Sequence, residues 1–96
     1  MKALVTGGTG TLGRLVVPRL QDAGCEVRVL SRHRRESSGD VEFVTGDLAS
    51  GQGVQAAAQG AEIVVHCAGS RKGDEDKARH LVQAALRAGT RHLVYI

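Results

Sequence analysis

The chain is short of aromatic residues, with one Phe, one Tyr and no Trp among 96 residues. Proteins that hold single-stranded nucleic acid stack its bases on such rings, so this scarcity argues against a nucleic-acid partner despite a net charge of +3. Cysteine is also scarce. Cys25 and Cys67 are too few for a disulfide framework and stand at no metal-ligand spacing, which excludes a disulfide scaffold and a zinc site; both read as reduced and buried. No apolar run approaches the roughly 20 residues of a membrane span. Met1 is followed at once by Lys2 and a Gly-rich turn, with no signal-peptide pattern, so a cytoplasmic location without a membrane partner is expected.

What is present describes one small domain. Hydrophobic residues make up 42% and charged residues 24%, near the average of soluble globular chains. No linker, repeat or low-complexity tract divides residues 1–96. Short β-branched runs alternate with longer stretches of helical spacing, and Gly or Ser clusters mark nearly every boundary. Strands are predicted at Ala3–Thr6, Glu26–Leu30, Val41–Thr45, Ala61–His66 and His92–Ile96. Leu12, Leu15, Val16, Leu20 and Ala23 line one face of a first helix, disturbed by the single proline, Pro18. A weak helix over Gln52–Gln59 has Ser50 as its candidate cap. The best helix starts at Gly73–Asp74 and carries Ala78, Leu81, Val82, Ala85 and Leu86 on one face. The pattern predicts an α/β fold: a doubly wound, mostly parallel sheet of strand order 3-2-1-4-5, the Rossmann arrangement.

The octet Thr6-Gly7-Gly8-Thr9-Gly10-Thr11-Leu12-Gly13 lies between a predicted strand and a predicted helix. In that setting Gly7 supplies a tight turn, Gly10 lets the backbone approach a pyrophosphate, and Gly13 lets the helix pack close to the strand. The helix start adds free N–H groups and partial positive charge. Gly7, Thr9, Gly10, Thr11, Leu12 and Gly13 are therefore cofactor-binding candidates. A P-loop is excluded, because no Gly-Lys-Ser/Thr follows. The residue that reads the adenosine ribose belongs at the end of the second strand, and it is not acidic here. Ser31-Arg32-His33-Arg34-Arg35 offers guanidinium groups instead, which suit a 2′-phosphate, so NADP is expected over NAD, with Arg32, Arg34 and Arg35 as its ligands.

These motifs resemble the short-chain dehydrogenase/reductase superfamily over the whole chain, in the extended and atypical branches that include NmrA-like proteins and nucleotide-sugar epimerase relatives. The octet is similar to their T-G-x-x-G-x-x-G. Gly46-Asp47-Leu48 resembles their G-D-L, which implies that Asp47 and Leu48 border the adenine ring; a helix-start cap is the other reading of Asp47. His66-Cys67-Ala68-Gly69 looks like their H-x-A-G, which implies that Cys67, Ala68 and Gly69 run along the nicotinamide ribose. The last residues, through His92-Leu93-Val94-Tyr95-Ile96, resemble the stretch before the family's catalytic Ser or Thr. Tyr95 reads as core or strand-end packing and His66 as a structural hydrogen bonder; His80 and His92 read as surface residues.

No Tyr-x-x-x-Lys occurs, so no catalytic residue and no metal ligand is named. The chain is expected to be the NADP(H)-binding N-terminal portion of an oxidoreductase whose substrate-binding part lies outside it, binding the dinucleotide without turnover. The alternatives are a non-catalytic, NmrA-like NADP-sensing module and a fragment of a nucleotide-sugar epimerase or dehydratase. The fifth strand is expected to be an uncovered apolar edge through which copies of the chain self-associate.

Overall fold

The computed structural model describes residues 1–7, 10–34, 39–67 and 74–96, apart from the side chains of Thr11 and Asp74. In chain order the elements are β1 (Lys2–Thr6), α1 (Thr11–Asp22), β2 (Glu26–Ser31), β3 (Val41–Thr45), α2 (Val54–Ala58), β4 (Ile63–His66), α3 (Asp74–Ala88) and β5 (His92–Tyr95). The strands form one five-stranded sheet in the order β3-β2-β1-β4-β5, with every pairing parallel. The chain therefore winds outward to one side of β1 as far as β3 and then crosses to the other side, leaving a switch point between β1 and β4.

Parallel strands buried on both faces need apolar residues at successive positions, and β1 has them in Ala3, Leu4 and Val5. Their alternation divides the interior into two layers. Leu4, Leu30 and Val64 face α2 and α3, where they meet Val54, Ala57, Leu81, Ala84 and Ala85. Val5, Val27, Val29 and Val65 face the other way, onto Val16, Val17 and Leu20 of α1.

The helices turn somewhat differently from the expected faces. The inward stripe of α1 is Gly13, Val16, Val17 and Leu20, while Leu15 is 62% exposed and Ala23 is exposed as well. Gly13 is buried in the first turn of that stripe, and a position without a side chain there adds nothing to a count of apolar residues. In α3, Ala84 points inward, whereas Val82 is exposed and Leu86 is 74% exposed. Pro18 does not end α1. It and Arg14 are exposed, so water can hydrate the carbonyl four residues earlier that a proline leaves without a donor.

Helix α2 is shorter than expected, and Gly53 in a left-handed conformation precedes it in place of Ser50. Its carboxyl end is held by Arg28 of β2. Arg28 Nη1 donates at 2.7 Å to the carbonyls of Ala57 and Gln59, and its Nε donates at 2.7 Å to Glu42 of β3. Cys25 is only half-buried, contrary to expectation, since it precedes β2 at the amino ends of the strands, outside the sheet. β5 is exposed along its length, with Tyr95 54% exposed rather than packed in a core.

Candidate functional site

The parallel register aligns the carboxyl ends of the strands. Thr6 lies opposite Leu30 and His66, and Ser31 lies opposite Thr45. The segments after β1, β2, β3 and β4 thus leave the sheet along one edge, where open α/β sheets bind ligands. That edge brings together Gly7, Gly10, Leu12, Arg32, Arg34, Asp47, Leu48 and Cys67. Thr9, Arg35, Ala68 and Gly69 lie outside the described residues, as does the side chain of Thr11.

At the switch point Gly7 has φ +73°, a region that side chains rarely adopt, and a Cβ there would run into the Cys67 carbonyl. The Cys67 N–H donates to the Thr6 carbonyl at 3.0 Å, so the two segments leave the sheet side by side with no room between them. The Gly10 N–H then donates to the Gly7 carbonyl at 3.1 Å, closing the turn that starts α1. The helix's own ladder begins with Arg14 N–H to Gly10 carbonyl at 3.0 Å, which leaves the amides of residues 11 to 13 with no acceptor inside the helix. Among the described residues no side chain caps this end, and its first turn holds no acidic residue, so the positive end of the dipole is not neutralised there. Helix-start amides beside the bare backbone of Gly7 and Gly10 fit a pyrophosphate. Gly13 is buried, on the side of the helix that meets the sheet.

Thr6 and His66 complete the floor of this crevice. Both are buried, and Thr6 Oγ1 lies 2.5 Å from His66 Nδ1. The His66 ring lies against Tyr95 of β5, with centroids 5.0 Å apart and planes tilted by 55°. His66 is thus held as a structural hydrogen bonder, which its place at the end of a strand suggested.

Beyond β2, Ser31 is buried and its Oγ accepts the His33 N–H at 3.3 Å, a local turn that starts the basic segment. Arg32 and Arg34 are exposed. The Gly46 N–H donates to the Ser31 carbonyl at 2.9 Å, so the basic segment and the segment after β3 leave the sheet side by side. Gly46 is buried, and a Cβ there would come within 2.7 Å of Leu30 Cδ1. Asp47 uses Oδ1 to accept the Ala49 N–H at 2.9 Å, within a tight turn where Gly51 N–H also reaches the Asp47 carbonyl at 2.8 Å. His80 is more than a surface residue: its Nδ1 lies 2.6 Å from the Leu48 carbonyl and reaches this turn from α3.

Cys67 is buried against Val5 and Val65, and removal from water pushes its thiol up from the ordinary range. Among the described residues, no three His, Cys, Asp or Glu side chains are grouped to hold a metal ion, and no helix is long and apolar enough to cross a membrane.

The site's geometry agrees with what known proteins share with this chain. A family profile described as NAD(P)H-binding matches residues 7–96. The ceramide reductase of Caulobacter vibrioides is 37% identical over 103 residues, covering 94% of this chain and 32% of that protein. The photosystem II assembly factor Ycf39 of Trieres chinensis is 33% identical over 107 residues, covering 99% of this chain and 34% of its own length. A mutant uronate dehydrogenase from Agrobacterium tumefaciens, solved in complex with NAD, superposes with a TM-score of 0.84 at 28% identity, covering 98% of this chain and 39% of that one. The chain spans between 12% and 34% of the lengths of these and other curated relatives. On the family match and these relatives, the chain belongs to the NAD(P)H-binding proteins of the extended short-chain dehydrogenase/reductase type.

Proposed function

We propose that residues 1–96 are the dinucleotide-binding portion of an NADP(H)-dependent oxidoreductase, holding the cofactor while a substrate-binding part elsewhere in the whole protein supplies the acid catalysis. The observation that carries this reading is the start of α1, which no described side chain caps, beside the close approach of Gly7 to Cys67 at the switch point. Gly7, Thr9, Gly10 and the amides of Thr11 and Leu12 hold the pyrophosphate, and Gly13 keeps α1 close enough to present them. Arg32, Arg34 and Arg35 neutralise a 2′-phosphate, which a free hydroxyl would not require. Asp47 and Leu48 border adenine. Cys67, Ala68 and Gly69 run along the nicotinamide ribose. The bound nicotinamide would supply hydride chemistry, and the residues of this chain orient it.

A second reading is favoured by the likeness to Ycf39, which is named as an assembly factor and not for a reaction. In that reading the chain is a non-catalytic, NmrA-like module whose bound NADP changes its contacts with a partner protein.

Thermal unfolding with NADPH and with NADH at matched concentration tests the binding reading, because a ligand that binds only the folded state raises its stability by RT ln(1 + [L]/Kd). A shift with NADPH alone is expected. Equal shifts would remove the role of the arginines, and no shift with either would overturn binding by this portion.

A further inference from the structure

We propose that His80 is a positioning residue for the adenine end of the dinucleotide, holding from α3 the turn that carries Asp47 and Leu48. The inference rests on the assignment of those two residues to adenine. Most of that turn's hydrogen bonds are internal: Asp47 Oδ1 accepts from Ala49 N–H, Asp47 N–H donates to the Gln52 carbonyl, and Gly51 N–H donates to the Asp47 carbonyl. Such bonds fix the turn's shape but not its place on the protein. Gly46 N–H to the Ser31 carbonyl anchors the strand side. His80 anchors the other side, with Nδ1 2.6 Å from the Leu48 carbonyl, across 32 residues of sequence.

A carbonyl only accepts, so Nδ1 carries the proton in this contact. The ring also lies over Gly51, where an added Cβ would be 3.2 Å from ring carbon Cδ2. The Leu48 side chain packs on the apolar cluster that includes Leu81, the next residue of α3. The helix thereby holds the Leu48 carbonyl while the core that α3 helps to form holds the Leu48 side chain, and displacement of either moves the surface on which adenine would rest.

Titration of the chain with adenosine 2′,5′-bisphosphate, the adenosine end of NADP with its 2′- and 5′-phosphates and without the nicotinamide half, tests this. His80→Ala is expected to weaken binding about tenfold, the effect of losing one positioning hydrogen bond. His80→Asn should restore it to within about threefold, because the Asn amide nitrogen, like Nδ1, is attached to Cγ and can donate to the same carbonyl. Gly24→Ala, which strains the backbone far from the site, should leave the affinity unchanged and so separates positioning from general destabilisation. Wild-type affinity in His80→Ala, or a folded His80→Asn that fails to recover binding, overturns the proposal. Failure of the unmutated chain to bind the bisphosphate, alongside a thermal shift with NADPH, overturns instead the adenine assignment beneath it.

Discussion

Thr6 and His66 face each other across the β1–β4 pair, the threonine hydroxyl 2.5 Å from the imidazole Nδ1 in a buried setting. Thr6→Val keeps the shape and removes the hydroxyl, leaving a buried ring nitrogen without that contact. The expected loss is about 1–3 kcal/mol, read as a lower midpoint in urea unfolding at unchanged slope. Thr6→Ser retains the hydroxyl and should lose about 1 kcal/mol, the worth of the missing methyl.

Gly7 and Gly24 have similar backbone angles, with φ of +73° and +88°, and different surroundings. An added Cβ at Gly24 meets nothing within 4 Å, so Gly24→Ala should cost about 1–2 kcal/mol of stability and leave NADPH affinity untouched. At Gly7 the same methyl group collides with the Cys67 carbonyl, and the two segments of the crevice must part. Gly7→Ala should therefore lose NADPH affinity by more than about tenfold in direct titration, besides its loss of stability.

The glycines show how much of the site was legible beforehand. Their spacing between an apolar run and a helical stretch marks the turn, because few other residues could make it. The strand order followed equally well from the alternation of elements, and strand limits differ from the expected ones by two residues or fewer. Side-chain destinations across crossovers were not legible. Arg28 alternates with apolar residues in its strand as a solvent-facing residue would, yet its guanidinium holds the end of α2 some thirty residues later. His80 looked like an ordinary polar position on a helix for the same reason. Tyr95 carries a ring suited to a core, but β5 stands at the sheet's edge, where His66 is the neighbour that it meets.

Burial of Cys67 makes stability fall with rising pH. The unfolded thiol ionises near pH 8.5, whereas the folded one keeps its proton to higher pH. Below about pH 8.5 both states carry the neutral thiol and stability is independent of it. Above that, the unfolded chain releases its proton first and is favoured. Tm of the unmutated chain should decline more steeply above about pH 8.5 than that of Cys67→Ala, whose own stability is lowered by the cavity but not by this titration.

β5 leaves one backbone edge open and exposes Leu93, Val94, Tyr95 and Ile96 on both faces of the sheet. Parallel strands normally have both faces covered, so copies of the chain should associate through this edge. A concentration-dependent shift to larger species in size-exclusion chromatography is expected, reduced by Val94→Lys. A single monomer peak at every concentration would count against association.

The central place of β1 has a kinetic consequence. It precedes both of its partners along the chain: β2, which follows directly, and β4, which begins at Ile63. The half-sheet β1–β2–β3 can assemble from near neighbours, while joining Thr6 to His66 closes a loop of 60 residues and is expected to come later. The crevice is built when that loop closes. A dinucleotide then meets a finished site instead of guiding the chain into it, so it should slow unfolding more than it speeds folding.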